Sequence, residues 1–290
     1  MSASILAVLF ANLIWGLAPV LAKVGLEGVD EVSFLLLRFG LSSLLLAPFV
    51  IRALRKIRFL SIQEILIGVV AVSFHYYLQI YALKHVPVTW YVFFYSLCPI
   101  ISLFALRVRL SLRLMAVCAL AIVGTFVFVD LGSGANISAT ALLALLASVG
   151  TWVLFTVGIR SWQKKMSDIE ISGMTSFLSF VVFLIVGVFY GSGSGASALI
   201  AGWNQQALIS TAALAVLMPI AFFAYSFSLR KAPALAVLGQ YFEPLFGTIA
   251  AVLFLGEHVG QHQAWGLGVV AVALTITMLP NRQPSNKSLD

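Results

Sequence analysis

Ten long apolar runs follow one another along this chain, with short clusters of basic residues between them. They cover about residues 3–22, 32–51, 61–83, 88–106, 112–130, 138–159, 170–190, 206–228, 234–255 and 263–280. A helix needs about 20 apolar residues to cross the ~30 Å hydrocarbon core of a bilayer, and each run comes close to that. Strands are excluded, because the runs are too long and do not alternate. Only 9% of residues are charged and 61% are hydrophobic, whereas a soluble domain carries about 25% charged residues. One protein core cannot absorb that much apolar surface, so the solvent is lipid. The chain is expected to be an all-α integral membrane protein with ten transmembrane helices. Its apolar start reads as the first of them and not as a removed signal.

The net charge of +7 could suggest nucleic acid as a partner, but the basic residues lie in short groups between spans, where loop charge sets orientation. With both termini on one side, that side holds Arg52, Arg55, Lys56, Arg58, Arg107, Arg109, Arg113, Arg160, Lys164, Lys165, Arg230, Lys231, Arg282 and Lys287. Lys23, Arg38 and Lys84 are left for the other side, and "DLGSGAN" and "YGSGSGASALIAGWNQ" hold no basic residue. By the positive-inside rule both termini are cytoplasmic, with a bacterial inner membrane as the expected location. The tail 281–290, within "NRQPSNKSLD", reads as disordered. Cys98 and Cys118 both lie in apolar runs and form neither a metal motif nor a disulfide framework. No metal and no cofactor is expected.

The chain resembles itself across its midpoint. Trp15 and Lys23 are eight residues apart, as are Trp152 and Arg160. "YALKHVP" at 81–87 is matched by "FSLRKAP" at 227–233, and each opens a run with a proline deeper in it, Pro99 and Pro244. The unit is five spans, so residues 1–132 form a first repeat and 133–280 a second. An odd number of spans inserts the second repeat upside down, and inverted repeats place a substrate site near the midplane between them.

"WGLAPVLAK" followed by "LLLRFGLSSLLL", and "LRKAPALAVLGQYFEPLFGTIAAVLFLGEHVGQHQAWGLGVV" near the end, resemble the drug/metabolite transporter superfamily and, within it, the EamA-type permeases. The resemblance covers about residues 4–280 and implies ten helices in two inverted halves that transport a small molecule, commonly outward. It also implies that spans one, three, four, six, eight and nine surround the cavity. Two features depart from symmetry: the position matching Glu243 is Cys98, and "LFALRVRLSLR" lacks the Gly-Glu of "LFLGEHV".

Glu243 sits about ten residues into its run, roughly 15 Å deep at 1.5 Å per residue. A carboxylate at that depth costs on the order of 3 kcal/mol or more unless a partner, water or a proton compensates it. It reads either as a proton-coupling or substrate-amine group or as a structural carboxyl bonding a neighbouring helix. Gln240 and Tyr241 precede it in the same run. His75 titrates near neutrality in its free form, so it can be a coupling group or a satisfied core histidine. Asn12 and Trp15 share a helix face, and Trp152 mirrors Trp15. The two tryptophans can pack an organic substrate, hold a cation by their π-faces, or simply pack helices. Tyr77, Tyr95 and Tyr241, at mid-depth, are candidates for the same cavity. Arg38 reads as snorkelling or as paired with Glu27, Asp30 or Glu31, the alternative being a substrate carboxylate. Lys23 reads as a snorkelling helix end, and Glu257 and His258 as solvated.

The substrate-binding candidates are therefore Asn12, Trp15, His75, Tyr77, Tyr95, Trp152, Gln240, Tyr241 and Glu243. The expected function is export of a small organic metabolite, an amino acid or related compound, by alternating access. Protons are a candidate coupling ion, and the carrier is expected as a monomer or homodimer. A carrier of lipophilic cations or drugs, an importer and a channel remain alternatives. No H-E-x-x-H, paired-Asp or spaced Ser/His motif supports an intramembrane enzyme. The orientation is testable with single cysteines at Ser61 and Ser194, in a background lacking Cys98 and Cys118. An impermeant thiol reagent on whole cells is expected to label Ser194→Cys and spare Ser61→Cys; the reverse pattern overturns the orientation.

Overall fold

The computed structural model describes residues 3–108, 111–129, 138–194 and 201–278. Arg109, Arg282, Lys287, the segment "DLGSGAN", part of the 191–205 segment and the 281–290 tail therefore lie wholly or partly outside the described residues. Among those described there are helices and no strands. In chain order they are α1 (Ala3–Gly25), α2 (Glu31–Leu45), α3 (Ala47–Lys56), α4 (Ile62–His85), α5 (Val88–Tyr95), α6 (Cys98–Ala105) and α7 (Leu112–Val129). Then come α8 (Ala139–Trp162), α9 (Asp168–Ser194), α10 (Gln205–Lys231), α11 (Pro233–Gly239), α12 (Phe242–Leu255) and α13 (Gln261–Met278). Seven segments are long and apolar enough to cross a bilayer, or eight if the bent α2–α3 pair is one span. The helices α7 and α13, eighteen residues each, lie on the fifth and tenth apolar runs.

The second run, 32–51, is not the single straight helix its composition suggests. It breaks between α2 and α3 with a bend of 86°. Pro48 sits in the first turn of α3, where its missing N–H removes no helical bond, but its ring prevents the preceding helix from continuing through it. The fourth and ninth runs break as well, at Ser96–Leu97 and at Gln240–Tyr241. Pro99 and Pro244 follow those breaks at matching places in the two repeats. Carbonyls at the breaks find partners in the turn itself: Ser96 and Leu97 donate to Phe93 and Phe94, and Gln240 and Tyr241 to Val237 and Leu238.

Packing repeats across the two halves. α1 lies along α10 as α8 lies along α4, while α2 meets α9 and α7 meets α13. Each of these contacts either has a counterpart under exchange of the halves or maps onto itself. Small residues set the closest approaches, as expected where lipid and protein interiors are equally apolar. A Cβ on Gly16 of α1 would lie 2.6 Å from the Phe246 Cβ and 2.7 Å from the Gly247 nitrogen of α12. A Cβ on Gly247 would in turn lie 2.5 Å from Val92 of α5.

Charged groups gather at the two ends of the bundle. One end holds Lys84–Glu31 at 3.0 Å and Lys23–Glu257 at 3.7 Å. The opposite end holds Lys56–Glu170, Lys165–Glu64 and Arg230–Asp168 at 2.7, 3.0 and 3.1 Å. Glu64 and Glu170 also bond back to Ser61 and Ser167 just before their helices, so each both caps its helix and ties it to the other repeat. Glu257 is not merely solvated at a helix end. α12 stops on Gly256 at φ 65°, a left-handed cap. The next residue then accepts the Val88 and Thr89 N–H groups at 2.7 and 3.0 Å. Glu257 thus caps α5 across the fold. Lys23 does not simply snorkel either, since it also donates to the Val86 carbonyl at 3.0 Å.

The Gly16 crossing generates a stability prediction. Gly16→Ala is expected to lower the thermal midpoint of the detergent-solubilised protein, by an overpacking cost of about 1–3 kcal/mol. Gly150, which has nothing within 4 Å of a built Cβ, should accept alanine with no loss. Equal midpoints for the two variants would refute the close-packing account.

Candidate functional site

A cavity of about 40 Å³ opens inside the bundle between the repeats. Trp15, Ala18, Pro19 and Ala22 of α1 line one side, and Leu214 and Met218 of α10 lie beside them. His75, Tyr76, Gln79, Ile80 and Leu83 of α4 face them, with Tyr91 and Tyr95 of α5, Cys98 of α6 and Trp152 of α8. Gln240, at the α11–α12 break, and Glu243 of α12 complete that wall, and Arg38 enters from α2. The lining thus comes from the six spans expected to surround a cavity, with the second span added. Ala22, Leu83 and Leu214 carry it toward the end that holds Lys84.

The two helix breaks position its polar residues. A turn between α11 and α12 lets Gln240 and Glu243 face inward, and the equivalent turn between α5 and α6 does the same for Tyr95 and Cys98. Helical period explains the α4 face. His75, Tyr76, Gln79, Ile80 and Leu83 recur at the spacing of one stripe, which leaves Tyr77 on the other side.

Aromatic rings form the central wall. Trp15 and Trp152 meet edge to face with centroids 5.3 Å apart and an interplanar angle of 89°. Tyr225 packs on both, at 5.0 and 5.6 Å. His75 lies 5.0 Å from Trp152 and 6.0 Å from Tyr95. Its Nδ1 is 2.9 Å from the Ser148 carbonyl; a carbonyl only accepts, so Nδ1 carries the proton. The Ser148 hydroxyl donates to the Leu145 carbonyl at 2.7 Å and accepts from the Tyr95 hydroxyl at 2.7 Å. Gln79 donates to the Tyr91 hydroxyl. This network holds the α4, α5 and α8 walls in one arrangement.

Glu243 is 8% exposed and lines the cavity. Its carboxylate makes no ion pair among the described residues, and the Gln240 side-chain oxygen beside it in the chain is buried without a hydrogen bond. Of the residues expected at a binding site, Trp15, His75, Tyr95, Trp152, Gln240 and Glu243 come together here. Asn12, Tyr77 and Tyr241 do not line the cavity. Asn12 is buried a turn away and donates to the Val8 carbonyl at 2.7 Å. Tyr77 is 39% exposed on the outer surface, and Tyr241 is fully buried away from the cavity.

Arg38 departs most from expectation. It neither snorkels nor pairs with Glu27, Asp30 or Glu31. Asp30 caps α2 through the Val32 and Ser33 N–H groups, and Glu31 is taken by Lys84. The guanidinium turns inward instead, over the Tyr76 ring at 4.6 Å. The sequence reading has a substrate carboxylate only as the alternative for it. The usable signal was that Arg38 lies in the interior of an apolar run whose neighbouring acids sit at the helix mouth.

No group of three or more His, Cys, Asp or Glu suited to a metal occurs among the described residues. The fold and site define a multi-pass helical membrane protein with a polar-and-aromatic cavity between two related halves. The EamA-like transporter family matches residues 2–129 and again residues 139–279, and the chain belongs to that family, whose members are transporters and not enzymes. A solved structure described only as "Crystal structure of protein" is 18% identical, with a TM-score of 0.74 over 96% of this chain and 97% of its own. At that identity the likeness speaks for the fold alone. No curated protein matches the sequence.

If the cavity is where cargo binds, Trp15→Phe and Trp152→Phe should each lower transport several-fold in proteoliposomes. Tyr77→Phe, on the outer surface, should stay within about twofold of wild type. Uptake normalised to folded protein measures this, and a Tyr77 effect as large as those at the tryptophans would dissociate transport from the cavity.

Proposed function

We propose that the chain is a secondary transporter that exports a small organic metabolite, an amino acid or a related compound, across the cytoplasmic membrane by alternating access. The observation that carries this reading is Glu243, a buried carboxylate without an ion-pair partner, inside an aromatic-walled cavity between two inverted repeats. A carboxylate there suits an ammonium group of the cargo or a coupling proton, and the tryptophans suit its apolar body. A carrier of organic cations shares the same aromatic-plus-acid logic and is the second reading.

The ten apolar runs would then be ten spans, with α2–α3, α7 and α13 completing the seven that stand alone. Residues 1–132 and 133–280 would be the two repeats. The end with Lys56, Lys165 and Arg230 is the cytoplasmic one on charge grounds. Two of its ion pairs, Lys56–Glu170 and Lys165–Glu64, join the repeats. Breaking them is the natural event when that end opens and the cavity, now directed toward the Lys84 end, changes sides.

Glu243→Gln separates the possible roles. If Glu243 carries a coupling proton, the variant keeps substrate exchange in proteoliposomes but loses pH-driven net flux. If it binds the amine, exchange affinity falls at least tenfold. Wild-type flux and affinity in Glu243→Gln would remove both roles. Saturable counterflow of radiolabelled amino acids distinguishes a carrier from a channel.

A further inference from the structure

Arg38 is 2% exposed, lies on α2 and reaches the same cavity as Glu243. Its Nε and Nη2 have no hydrogen-bond partner among the described residues. The ring faces of Tyr76 and Phe39, at 4.6 and 5.0 Å, hold the guanidinium but leave those donors unused. A guanidinium does not give up its proton in a protein, so it cannot escape burial by becoming neutral. The acids that could have paired with it are committed at the ends of the bundle: Glu31 to Lys84, Glu170 to Lys56, Asp168 to Arg230. Glu243 makes no ion pair with it either.

The cavity therefore holds a fixed positive group from α2 and an acidic group from α12, neither with an ion-pair partner among the described residues, with Trp15 and Trp152 also in its wall. An anionic cargo would leave Glu243 unmatched, and a cationic cargo would leave Arg38 unmatched. A molecule carrying both an ammonium and a carboxylate answers both at once. We infer that Arg38 binds the carboxylate of a zwitterionic amino acid, with its planar fork of donors, while Glu243 receives the ammonium. This rests on the transporter reading above and adds to it the charge class of the cargo and a second binding residue. Gln240, whose side-chain oxygen is also buried and unbonded, supplies a further acceptor for an ammonium N–H.

The test is counterflow by the full-length protein in proteoliposomes, with three probe sets. These are radiolabelled zwitterions (a mixture of L-α-amino acids, and 4-aminobutyrate), the primary amines that lack the carboxylate, and the N-acetylated acids that lack the ammonium. The wild-type protein is expected to exchange at least one zwitterion, against which the matching amine and N-acetyl acid compete at least tenfold more weakly. In Arg38→Gln, KM for the zwitterion should rise at least tenfold and the amine should compete as well as the zwitterion does. Arg38→Lys should retain part of the preference. A folded Arg38→Gln with wild-type KM and wild-type competitor ranking would overturn the role of Arg38 and leave the amino-acid transporter standing. Wild-type exchange of amines without zwitterions would overturn the inference in favour of a cation carrier. Exchange of none of the probes would overturn both the amino-acid reading and this one. If Arg38→Gln does not fold, the competitor ranking of the wild-type protein decides.

Discussion

A peptide group in hydrocarbon has no water to bond, so an unpaired N–H or C=O there costs several kcal/mol. Most of this structure follows from that constraint. The backbone closes its bonds within helices, and two of its departures from helix lie where protein packs around them. The turns at Ser96–Leu97 and Gln240–Tyr241 are such places. Ser96, Gln240 and Tyr241 are buried and Leu97 is half-buried; both turns close local hydrogen bonds, and both border the cavity. A continuous helix would carry Glu243 and Cys98 on one regular stripe with their neighbours. The break re-aims them, and the same prolines that forbid a regular helix permit a wall with polar groups on it.

Two-fold packing supplies the room. Because α1 lies along α10 as α8 lies along α4, Trp15 and Trp152 arrive at the centre from opposite repeats and touch. The chemistry laid on this frame is not symmetric. Where one half has Glu243 the other has Cys98, and Arg38 comes from the first half alone. A symmetric scaffold with an asymmetric charge distribution can offer a cargo two different ends while keeping two similar ways of opening. The ion pairs obey the same separation: they stay at the ends of the bundle, where water screens them and each contributes little. Arg38 and Glu243 at the cavity take part in none of these pairs.

Some of this was legible in the residues alone. Length and apolarity of the runs required helices in lipid, because no other element satisfies its own backbone there. The spacing Trp15–Lys23 against Trp152–Arg160 disclosed the repeat, and the depth of Glu243 within its run marked it for the interior. Trp15, His75, Tyr95, Trp152 and Gln240 also reach the cavity. These inferences use distance along a helix, which sequence measures directly. Rotation about a helix is harder, since it depends on which face a neighbour covers. Tyr77 stands two residues from His75, close to the opposite face, and the hydrophobic pattern of a membrane helix barely distinguishes the lipid side from the protein side.

What only the tertiary structure decided is partnership. Glu257 looked solvated until α12 ended on a left-handed glycine and brought it to the unpaired N–H groups of α5. Arg38 looked paired until its neighbouring acids were seen to be occupied elsewhere. The sharp bend between α2 and α3 also escaped a reading in which 32–51 was one apolar run. Sequence by itself determined the solvent, the all-helical class and the repeat, because each follows from local composition and period. The identity of the cavity wall and the partners of its charges depend on contacts between residues more than two hundred positions apart, and the chain specifies those only once its helices have packed.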